Sequence, residues 1–206
     1  MVYKFFKRLF DIIFGLIGLL FLIPLTIVLK IAYVCTGDWH SIFYIQPRIG
    51  KDGKVFKLFK YRSMVLDAES KLEQLMKEDE KIREEYQKNK KLIDDPRITT
   101  MGKVIRRFSI DELPQFINIL FGKMSLVGNR PYLVSEKKEM GKFYDDIIKT
   151  KPGITGLWQV SGHNDVSFKG RLELEATYPA IMSFGVDVRI ILKTFKAVIV
   201  GRRGNK

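Results

Sequence analysis

The chain has 206 residues, enough for one globular domain with its own core and too few for two ordinary domains plus a membrane segment. Lysine and arginine total 36 against 23 aspartate and glutamate, and the formal net charge of +13 calls for an anionic partner, whether phospholipid, nucleic acid or a phosphorylated substrate. The single cysteine, Cys35, excludes an intramolecular disulfide, and the two distant histidines, His40 and His163, give little support to a zinc site or a Ser-His-Asp engine.

From Ile12 to Leu29 the chain carries no charge, a run of roughly 27 Å as a straight helix, barely one hydrocarbon thickness. No small-residue cleavage site follows it, which argues against a secretory signal. Pro24 removes a backbone donor and sets its ring against the carbonyl of residue 20, so a bent segment is expected in place of a straight span. Lys4, Lys7 and Arg8 precede the run, and Lys30, Arg48, Lys51 and Lys54 follow it; the positive-inside rule puts both ends in the cytoplasm. Residues 1–35 are therefore read as a re-entrant membrane helix, with a proline-kinked spanning helix as the rival. Phe5, Phe6 and Phe10 among these cations suit the headgroup level. Cys35, near the end of the apolar stretch, is expected to be a buried thiol.

Residues 36–206 form the expected catalytic domain, α/β but mainly helical, with few short strands. Gln46 to Met64 mixes turn signals, Gly50 and Asp52-Gly53, with basic-aromatic alternation and predicts a hairpin. Residues 66–95 read as a charged, solvated helical insertion closed by Pro96. Leu113, Phe116, Ile117 and Leu120 mark an amphipathic helix ending at Gly122, a left-handed cap position. Val186 to Val200 places Lys193 and Lys196 among Ile190, Ile191, Leu192, Phe195, Val198 and Ile199. That pattern suits a helix on a bilayer surface and equally one packed on the core.

Chemistry concentrates between Ile105 and Leu133. Ser109 to Glu112 matches the S-x-x-E capping box, so Asp111 and Glu112 could simply cap a helix. At a helix start both carboxylates would stay ionised, as a nucleophile or metal ligand must. Asp111 then suits a covalent relay through an aspartyl-phosphate, and Glu112 a hard cation such as Mg²⁺. Lys60, Arg62, Arg97, Arg106, Arg107 and Arg130 are candidate phosphate ligands, and Arg130, between Gly128 and Pro131, sits in a tight loop suited to clamping oxygens. Trp158 and Gln159 lie in a Gly/Pro-rich stretch, where Trp158 either stacks on a base or fills core.

These blocks, with KRLFD at Lys7 to Asp11, QPRIG, KYRSM, DPRIT at Asp95 to Thr99, SIDELPQ at Ser109 to Gln115, MSLVGNRP at Met124 to Pro131, PGITGLWQVSG at Pro152 to Gly162 and the Tyr178…Asp187 segment, resemble the monotopic phosphoglycosyl transferases that begin bacterial glycoconjugate assembly. The resemblance covers nearly the whole chain. It implies a re-entrant helix, Mg²⁺, and a cytoplasmic-face active site on the bacterial inner membrane. It also implies an Asp-Glu dyad, Asp111 and Glu112, whose Asp takes a sugar 1-phosphate from a UDP-sugar, releases UMP and passes it to undecaprenyl phosphate. The arginine of the loop maps onto Arg130, and Arg106 matches a basic position of the dyad block. The insertion and PYLVSE look most like the catalytic domain of undecaprenyl-phosphate galactose phosphotransferases, making UDP-galactose the first expected donor and UDP-glucose the second. A homodimer is compatible with this reading.

Three positions depart from the pattern: Ile23 precedes Pro24 where serine is common, with Thr26 as the nearest substitute hydroxyl; Asn129 stands where proline is usual; and His163 where arginine is usual. A basic membrane-anchored adaptor, with the dyad as a mere cap, is the rival from another class. A nucleic-acid binder finds no recognition motif and is opposed by the apolar anchor.

Overall fold

The computed structural model describes residues 2–161 and 166–199, side chains of 198 and 199 excepted. The apolar run lies within one helix, α1 (Val2–Cys35), with Pro24 inside it. At 34 residues it extends about 51 Å, well beyond a hydrocarbon core.

One stripe of α1 is docked onto the rest of the chain along its whole length. Near its start, Tyr3 and Lys7 reach Asp187 at 2.8 and 2.6 Å. Arg8 donates to the carbonyls of Ile119 and Leu120 at 2.7 and 2.9 Å, and Asp11 accepts from Ser125 Oγ and the Leu126 amide. In the middle, a Cβ on Gly15 would lie 2.8 Å from Leu120 and one on Gly18 2.4 Å from Phe116, so only glycine lets the helices approach this closely. Further along, Leu22, Leu29 and Tyr33 are buried with Ile42, Tyr61 and Ile105. Two of the three cations that precede the apolar run, Lys7 and Arg8, are thus engaged in docking the helix. The opposite face exposes Leu16, Leu20, Phe21, Ile23, Ile27, Val28 and Ile31.

The Thr26 hydroxyl reaches the carbonyl of Leu22 at 2.7 Å and the Tyr61 hydroxyl at 2.5 Å. It therefore does not serve the carbonyl of Leu20, four residues before Pro24. Cys35 is exposed, contrary to expectation, because the docked stripe runs through Tyr33 and leaves the helix end outside the core.

The expected hairpin forms from β1 (Phe43–Ile49) and β2 (Val55–Tyr61), antiparallel with Phe43 opposite Tyr61 and Ile49 opposite Val55. Asp52 and Gly53 turn it with φ of 58° and 74°. The charged insertion is a pair of helices, α2 (Ala68–Glu78) and α3 (Glu80–Asn89), broken at Asp79, whose carboxylate caps α3. Its only deeply buried apolar residues are Leu72 and, after α3, Leu92, so it is solvated as expected. Then come α4 (Thr100–Arg107), a 3-10 turn at Ile110–Glu112, and α5 (Gln115–Leu120), followed by Gly122 at φ 69°.

A second, parallel pair joins β3 (Ser125–Val127) to β4 (Gly153–Thr155) across a crossover holding α6 (Lys137–Met140) and α7 (Tyr144–Ile147). The chain closes with α8 (Leu157–Val160), α9 (Phe168–Ile181) and α10 (Phe184–Ile199). Helix α10 buries Ile190 against Val127 and Tyr178 while exposing Leu192 and Phe195, so its core-facing and outward-facing patterns are both real. The expected contributions of Val198 and Ile199 lie outside the described side chains. The described residues are mainly helical with few short strands, as the sequence predicts.

Candidate active site

The turn carrying Asp111 and Glu112 departs from the capping geometry that the sequence suggested. Ser109 adopts a left-handed conformation, φ 56°, and its side chain makes no cap; Pro114, not Ser109 or Asp111, precedes α5. Ile110 and Leu113 pack onto the α1 core, which fixes the turn from behind. Asp111 is buried. Burial first, and the adjacent Glu112 second, push its pKa up to about 6, while Lys60 and Arg106 pull it down. Burial thus lifts Asp111 above the usual aspartate range, yet at about 6 it stays mostly ionised at neutral pH, as the sequence predicts.

Lys60, near the end of β2, places its ammonium 3.6 Å from Glu112, and burial lowers its own pKa against the pull of both carboxylates. Arg106 donates to Ser63 Oγ at 2.8 Å and contributes to the field at Asp111. Arg62 and Arg97 are committed elsewhere. Arg62 forks onto Asp38 at 2.9 and 2.8 Å and donates to the Ser41 carbonyl. Its backbone carbonyl accepts from the Tyr33 hydroxyl, so it staples the end of α1 to β2. Arg97 is bidentate to Asp95 at 2.8 and 2.6 Å.

A second group of cations adjoins the dyad. Arg48, buried in β1, donates to the Pro131 carbonyl and to Gln46. Burial, then Arg130, depress its pKa to about 10, with Glu136, Tyr44 and Glu112 opposing. Arg130 and Arg171 also repel each other, and both lie near the Trp158 ring, whose centre is 4.2 Å from the Arg171 guanidinium carbon and 5.7 Å from that of Arg130. Trp158 is thus core, the second of the two roles its sequence position allows. Gln159 turns a buried Oε1 towards Gly156.

The Arg130 loop is built by backbone contact. A Cβ on Gly128 would lie 2.3 Å from the Lys151 carbonyl, and one on Gly153 2.1 Å from the Gly128 amide. The glycines of the two motifs therefore interlock. Glu175 then accepts from the Arg130 amide at 2.9 Å from a fully buried position.

A family model described as bacterial sugar transferase matches residues 2–201. The chain belongs to the bacterial sugar transferase family. It is 42% identical over 199 residues to the undecaprenyl-phosphate galactose phosphotransferase of Salmonella typhimurium, covering 95% of this chain and 41% of that one. It is 39% identical over 196 residues to the exopolysaccharide production protein ExoY of Sinorhizobium fredii, covering 95% and 86%. To the UDP-glucose:undecaprenyl-phosphate glucose-1-phosphate transferase of Klebsiella pneumoniae it is 37% identical over 203 residues, covering 94% and 40%. The chain thus spans most of ExoY and about two-fifths of the two phosphotransferases.

In this sugar transferase, sequence reasoning missed Arg171 and Glu175 and took Arg48 only as a charge flanking the membrane segment. Arg48 stood within the QPRIG block, which could have marked it. Arg171 and Glu175 lie four apart on one face of α9, and only the packing of that face against the Arg130 loop gives them a place near the site. His163 lies outside the described residues.

Among the described residues no three acidic, histidine or cysteine side chains cluster as a metal cage. Two adjacent carboxylates suit Mg²⁺ nonetheless, since that ion is commonly held by one or two carboxylates plus substrate phosphates. The mutual repulsion that raises Asp111 is what a divalent cation at Glu112 would relieve.

Proposed function

We propose that this chain moves a sugar 1-phosphate from a UDP-sugar to undecaprenyl phosphate through a covalent Asp111 intermediate. The observation that carries the reading is the turn with buried Asp111 and half-buried Glu112, with Lys60 and Arg106 beside it, Arg48 and Arg130 adjoining and Arg171 next to Arg130. Several cations depress one another there, so a dianionic diphosphate would relieve their repulsion as well as bind.

In the first step an Asp111 carboxylate oxygen attacks the phosphorus bearing the sugar. The bond from that phosphorus to the bridging oxygen breaks, and UMP leaves with both electrons and the oxygen. In the second, an oxygen of undecaprenyl phosphate attacks the same phosphorus, the mixed anhydride breaks, and Asp111 returns as carboxylate. Lys60, Arg106 and Arg130 hold phosphate oxygens and stabilise the charge that builds on them. Gln159 is assigned to the donor side. Glu112 would hold Mg²⁺, which when bound neutralises phosphate charge. Arg62 and Arg97, expected as substrate ligands, position the chain segments next to Lys60 and α4 through their aspartate pairs.

The anchor reading rests on α1 being docked to the same domain at Tyr3 to Asp11 and again at Thr26 to Tyr33. Both ends therefore belong on one side of a membrane, the cytoplasmic side by charge, with the apolar outer face in lipid. Exposed Val104, Phe108, Leu192 and Phe195, beside Lys103, Arg107, Lys193 and Lys196, suit an interfacial seat on the bacterial inner membrane. UDP-galactose is the favoured donor and UDP-glucose the alternative, in a step opening exopolysaccharide, capsule or O-antigen assembly.

Purified protein with Mg²⁺, undecaprenyl phosphate and a panel of UDP-sugars tests the proposal. UMP released from one donor, and lost in Asp111→Asn, supports it. Release of UDP, or turnover that survives Asp111→Asn, overturns it.

A further inference from the structure

Asn129 sits where a proline is usual in the loop that this chain's motif resembles. A proline would restrain the backbone before Arg130 by its ring. Asparagine has no such restraint, yet the residue is only 2% exposed. Its Nδ2 donates to the Ile147 carbonyl at the end of α7, 3.1 Å away, and its own carbonyl accepts from the Gly153 amide at 2.9 Å. The side chain thus ties the loop to the crossover and the backbone ties it to β4.

The remaining side-chain oxygen has a different role. Asn129 Oδ1, Thr150 Oγ1 and Arg130 Nε are buried with no hydrogen-bond partner among the described residues. All three residues line the same small cavity, with Ile147 and Pro152, and it offers about 10 Å³ to the centre of a water-sized sphere. That is about the room one water needs, and two to four polar partners are what hold one in place. An acceptor, a hydroxyl and a guanidinium N–H fit such a water.

We propose that Asn129 is a positioning residue for Arg130, acting through the Ile147 carbonyl and through one trapped water shared with Thr150 and Arg130. The inference rests on the phosphosugar-transfer reading, in which Arg130 grips the donor phosphates. It makes the aim of the guanidinium depend on two side chains that never touch substrate.

The test is a mutant cycle on donor kinetics. Asn129→Ala should raise the donor KM roughly three- to tenfold, the loss of about one hydrogen bond, with kcat within about twofold. Thr150→Val, which keeps its volume, should act in the same direction, and the double variant should be no worse than the poorer single. Placed in an Arg130→Met background, Asn129→Ala should add nothing, whereas a general loss of packing would add its full factor. An unchanged KM in Thr150→Val, or a full additional loss in the Arg130→Met background, overturns the inference. If the wild-type protein releases no nucleotide, the function reading fails, and UDP affinity by calorimetry decides the inference instead. Affinity that falls with Arg130→Met and with Asn129→Ala supports it; affinity indifferent to Asn129→Ala sinks it.

Discussion

The Lys60 ammonium lies 3.6 Å from the Glu112 carboxylate, and both stand in the field that sets Asp111. Asp111, at about 6, must be ionised to attack, so kcat/KM should rise with pH through about 6 and level above it. Lys60→Met removes a charge that favours the carboxylate, so the acidic limb should move upward and the rate at pH 6 should fall more than the rate at pH 8. A limb that stays put in the variant would falsify this assignment of Lys60.

The same shift bears on stability. A carboxylate whose folded pKa lies above its unfolded value of 3.8 favours the fold at low pH, and this contribution is lost as pH rises through about 6. Asp111→Asn removes the cost of burying the ionised group. Its melting temperature should exceed that of the wild type at pH 7.5, by the equivalent of roughly 1–3 kcal/mol, and the gap should close towards pH 4. An inactive variant that melts below the wild type at pH 7.5 would contradict the burial argument.

Glu175, driven up to about 7 by complete burial, carries the same sign. Melting temperature should decline from about pH 4.5 to about pH 7, where the unfolded chain has given up the proton that the buried carboxylate keeps, and level off above that. Glu175→Gln keeps an acceptor for the Arg130 amide and should flatten that decline. Parallel pH profiles for the two proteins would rule out Glu175 as its source.

The docking of α1 should be sensitive to single atoms. Gly18→Val drives a side chain into Phe116 and should destabilise the protein in detergent by about 1–3 kcal/mol. Gly185→Ala, where nothing lies within 4 Å, is the control and should change little. Equal melting of the two variants would show that the α1–α5 contact contributes little to stability.

Topology is open to labelling. With the exposed native thiol at Cys35 and, in a Cys35→Ser background, a cysteine at Phe5, both positions should react from the cytoplasmic side of sealed vesicles. Reaction from opposite sides would mean that α1 spans, and the re-entrant reading would fall.

Much of this was legible along the chain. The charge-free run to Leu29, the Asp52-Gly53 turn, the charged insertion and the Gly122 stop each follow from local rules of spacing and backbone freedom. Arg130 could be singled out because glycine and proline mark its loop. Capping at Ser109 was misread, since S-x-x-E describes a helix start only when the serine adopts an extended conformation, and packing of Ile110 and Leu113 onto α1 is compatible with a left-handed one. Lys7 and Arg8 were taken for lipid-facing charges because their partners lie more than a hundred residues away. A separation of 45 positions likewise hid the support that Glu175 gives the Arg130 amide.

By itself the sequence determined the apolar N-terminal run, the hairpin, the charged insertion, the Asp-Glu pair and the cationic surplus, because each is written in neighbouring residues. Which cations adjoin the dyad was decided only by tertiary structure. Arg62 and Arg97 look on paper like Lys60 and Arg106, yet Asp38 and Asp95 engage the first pair and leave the second to act on Asp111. Burial, which no local pattern encodes, then sets the acidity of Asp111, because the desolvation of a charge depends on everything packed around it.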